Sequence, residues 1–145
     1  MKQSKKNIEV NHNARELYSI VLKIEEYPEY IPWCSNIEII DRKKNEIKAN
    51  MIVNYNFFPT QKFTSKVCYN FEKKQIKTNY IEGPLKDLYT TWEFVELSKN
   101  RTKIIFIVSF EFKNYMYQKL AELFFPLIED KMIKSFIKRA DNILD

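Results

Sequence analysis

The chain has one glycine, one histidine and two cysteines among its 145 residues, and each scarcity closes off a kind of chemistry. With Gly83 alone, neither the G-x-x-x-x-G-K-[ST] phosphate loop nor the G-x-G-x-x-G dinucleotide fingerprint is present; both need glycines so that backbone can approach phosphate. His12 has no identified Ser or Cys partner, so it has no place in a catalytic triad, and it reads as an exposed residue at a strand-to-helix turn. One His and two scattered Cys are too few for a zinc site of the usual type. Cys34 and Cys68 form no C-x-x-C, which fits free thiols that pack as small hydrophobes in a reducing cytosol. Nowhere is there a run of about 18 apolar residues, the length of a membrane span, and "MKQSKKNIEV" has a basic start with no apolar stretch behind it. The expectation is a chain that is neither exported nor membrane-spanning. No repeat, low-complexity tract, linker or Arg/Ser-rich presequence is visible.

Core material, by contrast, is plentiful. The composition is 45% apolar and 15% aromatic, with 11 Phe and 9 Tyr. A chain of this length buries about 70% of the surface its unfolded form exposes, so one domain over residues 1–145 is expected. The formal charge of +5 and pI near 9.1 favour anionic partners. The 24 basic residues are nevertheless interleaved with 19 acidic ones, as on an ordinary solvated surface. Carboxylates such as Glu82, Asp87 and Glu111 have nothing around them in the sequence that marks a catalytic pair.

Periodicity sets out the elements. "NIEVN", residues 7–11, reads as a short strand. Asn13 is an N-cap with Glu16 three residues on, and Leu17, Ile20, Val21 and Ile24 recur at helical spacing, giving a helix that ends before Pro28. From Trp33 the period becomes two. Residues 47–57 place Ile47, Ala49, Met51, Val53, Tyr55 and Phe57 on one face, and four further runs do the same through Phe63 to Phe71, Ile76 to Tyr80, Leu88 to Phe94 and Ile104 to Phe112. Short connections predict an antiparallel meander. After Asn114, residues 115–143 read as one long helix with Leu120, Leu123, Phe124, Leu127, Ile128, Met132, Phe136, Ala140 and Ile143 on its apolar face, bent at Pro126. The fold class is therefore α+β, a curved antiparallel sheet of about seven strands with one helix to cover it. One helix need not fill the concavity of such a sheet, so a pocket between the two is expected. Tyr55, Ser65, Thr78, Tyr80 and Thr90 bring hydroxyls to its otherwise apolar lining. The turn at Phe57-Phe58-Pro59 either packs under the helix or dips into a bilayer.

The segment "YPEYIPWC" resembles the Y-P-x-F-x-P-W-C segment of the coenzyme Q-binding branch of the START-like superfamily (polyketide cyclase and lipid transport), through Tyr27, Pro28, Pro32, Trp33 and Cys34. The likeness continues in order at "FTSKV", "GPLKDLYTTWEF", "FEF" and "MIKSFIKRA". Leu85 departs from the family's usual Phe and Ser135 from its Ala. The resemblance implies a helix-grip fold, in which 25–34 reads as a lid-like corner fixed by its prolines, its rings either closing one end of the cavity or only filling core. It also implies a non-catalytic protein, with no cofactor required, that binds ubiquinone or a related polyprenyl lipid in support of respiratory electron transport. Transient contact with a membrane surface follows, in the cytoplasm at the inner membrane, or on the matrix side in a mitochondrion. On this reading Met51, Val53, Phe63, Val67, Trp92, Phe106, Val108, Phe110, Leu120, Phe124, Ile128 and Met132 hold the tail, and Tyr55, Ser65, Tyr80 and Thr90 are head-group donors. The family's other label, ribosome-association toxin, implies a large-ribosomal-subunit partner instead. The chain has no Arg cluster or aromatic-basic RNA signature, and no DNA partner is expected.

Overall fold

The computed structural model describes residues 2–54 and 59–144. Its elements run β1 (Lys2–Val10), α1 (Ala14–Leu22), a 3-10 helix (Ile24–Glu29), β2 (Cys34–Lys43), β3 (Glu46–Val53), β4 (Gln61–Asn70), β5 (Gln75–Glu82), β6 (Leu85–Ser98), β7 (Arg101–Phe112) and α2 (Tyr115–Ile143). Among the described residues the strands form one antiparallel sheet in the order β1-β7-β6-β5-β4-β3-β2. The meander of β2 to β7 is the one predicted from alternation, with β1 returning to the edge beside β7. The segment of α1 and the 3-10 helix carries the chain from one edge of the sheet to the other. With α2 laid against the sheet, this is the helix-grip fold.

Two boundaries differ from expectation for identifiable reasons, and a third falls beside residues outside the described ones. β1 starts at Lys2 rather than residue 7, pairing with β7 along its whole length; its first half is polar because an edge strand presents most side chains to water. The first helix does not run unbroken towards Pro28. α1 stops at Leu22, and Pro28 sits inside the 3-10 helix, whose Tyr30 and Ile31 amides both return to the Tyr27 carbonyl, at 3.1 and 2.8 Å. The strand read over residues 47–57 is assigned only to Val53; Tyr55, Phe57 and Phe58 lie outside the described residues.

Local chemistry accounts for the joints. Asn13 Oδ1 accepts from the Arg15 and Glu16 amides at 3.0 and 3.3 Å, and Asn114 Oδ1 accepts from Tyr117 at 3.1 Å, so both helices start on a side-chain cap. Gly83, in the turn between β5 and β6, has φ +145°, and a Cβ there would stand 2.8 Å from the Lys62 carbonyl and 2.9 Å from the Tyr80 hydroxyl. Only glycine fits both the angle and the gap. Register shifts in the β2–β3, β4–β5 and β6–β7 pairs bend the sheet.

Candidate ligand cavity

The inward face of the sheet and α2 enclose a cavity of about 320 Å³. One end is sealed by rings: Phe136 of α2 meets Trp92 at 5.0 Å and Tyr27 at 5.3 Å between centroids, and Trp92 meets Phe106 at 4.5 Å. Edge and tilted contacts of this kind add to burial energy. The proline-broken stretch at residues 25–34 forms this corner. Tyr27, Ile31 and Trp33 line the cavity, and Cys34 starts β2. The Tyr27 hydroxyl donates to the Val21 carbonyl, and burial foremost, with Tyr30, Cys34 and Glu25 adding, holds its pKa well above the usual tyrosine value. Burial likewise pushes the Cys34 thiol up to about 11, against a lowering hydrogen bond to Asn36. The outer side of the corner is clamped by Arg139, which lies over the Tyr30 ring at 4.9 Å and donates to Glu26 at 3.0 Å and Glu29 at 3.3 Å.

Among the residues named from sequence, Met51, Val53, Phe63, Ser65, Val67, Thr90, Trp92, Phe106, Val108, Phe110, Ile128 and Met132 line this one cavity. Tyr55 lies outside the described residues. Tyr80 does not line it; its hydroxyl accepts the Leu85 amide at 3.0 Å and braces the Gly83 turn. Leu120 and Phe124 are likewise absent from the lining, which α2 supplies through Ala121, Phe125, Ile128, Glu129, Met132 and Phe136. Leu123 and Leu127, expected on the apolar face, are exposed. The reason is that "LAELFFPLI" is apolar nearly all round, so hydrophobic spacing cannot set the phase of that half of the helix. Packing decides it instead, with Phe125 stacking obliquely on Phe110 at 4.9 Å.

Thr78, expected from the sequence as a lining hydroxyl but not among the head-group donors, and Glu129, which the sequence did not single out, also line the cavity. Thr78 faces Thr90 across β5 and β6, a pairing visible only once register is known. Glu129 interrupts an apolar stripe at i+4 from Phe125 and i−3 from Met132, and that interruption was the available signal. His12 sits between β1 and α1 as expected, but its side chain is only 13% exposed, with Nε2 2.6 Å from Asp141 Oδ1 near the end of α2. It is held in a helix-to-loop contact away from the cavity. Among the described residues no cluster of three His, Cys, Asp or Glu could hold a metal ion, and no helix is long and apolar enough to cross a membrane.

A curved sheet gripping a helix over an apolar cavity is the helix-grip architecture. The chain belongs to the polyketide cyclase / dehydrase and lipid transport family, which it matches over residues 10–137. It is 33% identical over 139 residues to the mitochondrial coenzyme Q-binding protein of Dictyostelium discoideum, covering 93% of this chain and 67% of that one. It is 27% identical over 136 residues to the ribosome association toxin of Rickettsia prowazekii, covering 92% of each. In structure it superimposes on the Zhui aromatase/cyclase of a Streptomyces species with TM-score 0.90 at 12% identity, covering 99% and 96% of the two chains. A START superfamily protein of Mycobacterium smegmatis gives 0.82 at 21%, covering 97% and 98%. These structural likenesses speak to the fold alone.

Proposed function

We propose that the chain is a non-catalytic lipid-binding protein that holds ubiquinone or a related polyprenyl lipid between sheet and α2 and moves it to or from a membrane surface, in support of respiratory electron transport. The observation that carries this is the cavity itself, a partly open space between sheet and helix lined overwhelmingly by aliphatic and aromatic side chains. A quinone with a prenyl tail is mostly hydrocarbon. Each buried methylene contributes about 0.8 kcal/mol, against about 0.5–1.5 kcal/mol for a head-group hydrogen bond to a neutral hydroxyl such as Ser65, so the tail dominates affinity and the polar groups set selectivity. A volume near 320 Å³ is at the small end for ligand sites, and a long tail would project through an opening. The likeness to a coenzyme Q-binding relative supports the ligand class.

The exposed apolar residues of the same helix support the membrane contact. Met116, Leu120, Leu123 and Leu127 follow one another at i, i+4, i+7 and i+11, and Met116, Leu123 and Leu127 are exposed, as is Tyr115. A continuous apolar stripe in water suits the acyl boundary of a peripheral protein, with the protein at the inner membrane. Trp33 and Trp92 both line the cavity, so titration with a short-chain ubiquinone should quench their fluorescence to saturation. Quenching that rises linearly, as for free tryptophan, would sink the proposal.

The second reading, association with the large ribosomal subunit, is favoured by the relatives named ribosome association toxins and the net charge of +5. It requires co-sedimentation with large subunits that weakens on raising salt and disappears when surface lysines are reversed in charge.

A further inference from the structure

Glu129 is 2% exposed and lines the apolar cavity. Its Oε1 accepts the Ser4 hydroxyl at 3.1 Å, while its Oε2 is buried with no hydrogen-bond partner. A carboxylate oxygen without a protein partner in an apolar lining is costly, and buried polar atoms that lack a partner are rare. Nothing in the packing of α2 requires an acid here, since its neighbours on the stripe are Phe125, Met132 and Phe136.

Register shows what shares its level. Ser4 pairs with Val108, Val108 with Thr90, Thr90 with Thr78, and Thr78 with Val67. Residues directly opposite one another in a sheet point to the same face. Ser4, Thr90 and Thr78 therefore share one row across the sheet, with Val108 between Ser4 and Thr90, and Ser4 ties Glu129 to one end of it. In the rows on either side β6 and β7 are apolar, Trp92 with Phe106 and Leu88 with Phe110, and the edge strand β1 adds Lys6 and Lys2 opposite those phenylalanines.

We infer that this row is the head-group level of the cavity and that Glu129 Oε2 accepts a hydrogen bond from a ligand hydroxyl, so the ligand is an apolar molecule with an O–H donor. The inference rests on the lipid-binding reading and narrows it. A carboxylate only accepts, and an oxidised quinone offers only carbonyl acceptors, whereas its hydroquinone presents two O–H groups. Of a quinone couple the reduced form gains this extra bond and is held tighter, while the oxidised form is still held by its tail; a phenol or alcohol with a long alkyl chain gains the same bond.

The test is displacement of Nile red from the cavity by a long-chain alkylphenol and by the alkylbenzene of the same chain, which differ by one hydroxyl. Wild-type protein should bind the phenol roughly ten- to a hundredfold tighter, the range for a hydrogen bond to a charged group. Glu129→Leu should erase that preference. Glu129→Gln, which keeps the shape and one acceptor oxygen, should retain part of it and guards against misfolding of the leucine variant. Equal affinities in the wild type, or a preference that survives in folded Glu129→Leu, would overturn the assignment while leaving lipid binding intact. Failure of both probes to displace the dye would overturn the assignment and the lipid-binding reading together.

Discussion

Between Met132 and Ala140, α2 presses Ile133, Phe136 and Ala140 onto the sheet, each at most 7% exposed, whereas between Tyr115 and Leu127 it leaves Tyr115, Met116, Leu123 and Leu127 largely in water. Both halves are rich in apolar residues. What separates them is the partner. The second half lies over the aromatic corner of Tyr27, Tyr30 and Trp92, and the first half spans the cavity, where one face is wall and the other faces solvent. The contrast teaches that apolar content alone does not report burial in a protein with a hole in it. A helix bordering a cavity can spend its apolar surface on a ligand and on a second surface as well.

The sharpest way to break this contrast is to remove the anchor. Phe136→Ala should lower stability by about 3–5 kcal/mol, the range for deleting a buried ring, read from the urea midpoint; a loss below about 1 kcal/mol would mean that the aromatic corner does not hold α2. A smaller effect is expected at the far side of the cavity, where Gly83→Ala forces a Cβ to within 2.8 Å of backbone at φ +145° and should destabilise by more than about 1 kcal/mol. A midpoint equal to the wild type would show that the turn relaxes freely.

Alkaline titration probes the sealed half without mutation. Burial raises Cys34 from 9.0 to about 11 and Tyr18 from 10.0 to about 12, so the folded state keeps these protons when the unfolded chain has lost them. Their contribution is fully present below the unfolded values and is lost as pH rises through the folded ones. Urea midpoints should hold to about pH 9 and then decline towards pH 12. A flat profile across that window would contradict burial of these groups. The smallest effect on folding belongs to the solvent-facing stripe: the Met116→Ser, Leu123→Ser double variant should stay within about 0.5 kcal/mol of wild type per site. Its partition onto phosphatidylglycerol vesicles should nevertheless fall about tenfold or more, and unchanged partition would remove the stripe from the account.

The same contrast explains which features were legible in the sequence. Strands of the sheet alternate strictly because one face meets the cavity and core and the other meets water, so Met51, Phe63, Val67, Trp92, Phe106 and Val108 could be assigned to one side from spacing alone. The sealed half of α2 was legible through Met132, Phe136 and Ala140, but the spacing passed over the buried Ile133 and put Ile143, which is exposed, on the apolar face. The cavity-spanning half was not, since its Leu and Phe residues occupy every face. Polar features set by register or by long-range pairing were equally hidden: the Thr78–Thr90 match, the Ser4–Glu129 bond across 125 residues, the Tyr80 brace on Leu85 and the His12–Asp141 contact. Each depends on which strands become neighbours, and period-two alternation is silent on that.

The central claim is that the space between sheet and α2 holds an apolar lipid. Val108, buried at the middle of the wall, is the place to fill it. Wild-type protein and a Val108→Trp variant, confirmed to be folded by circular dichroism, should be purified in parallel, extracted with organic solvent and compared by mass spectrometry of the lipid released. The account predicts polyprenyl quinone in the wild-type extract, none in the Val108→Trp extract, and only a slight reduction for Ser65→Ala. A full complement of quinone in folded Val108→Trp protein would contradict it.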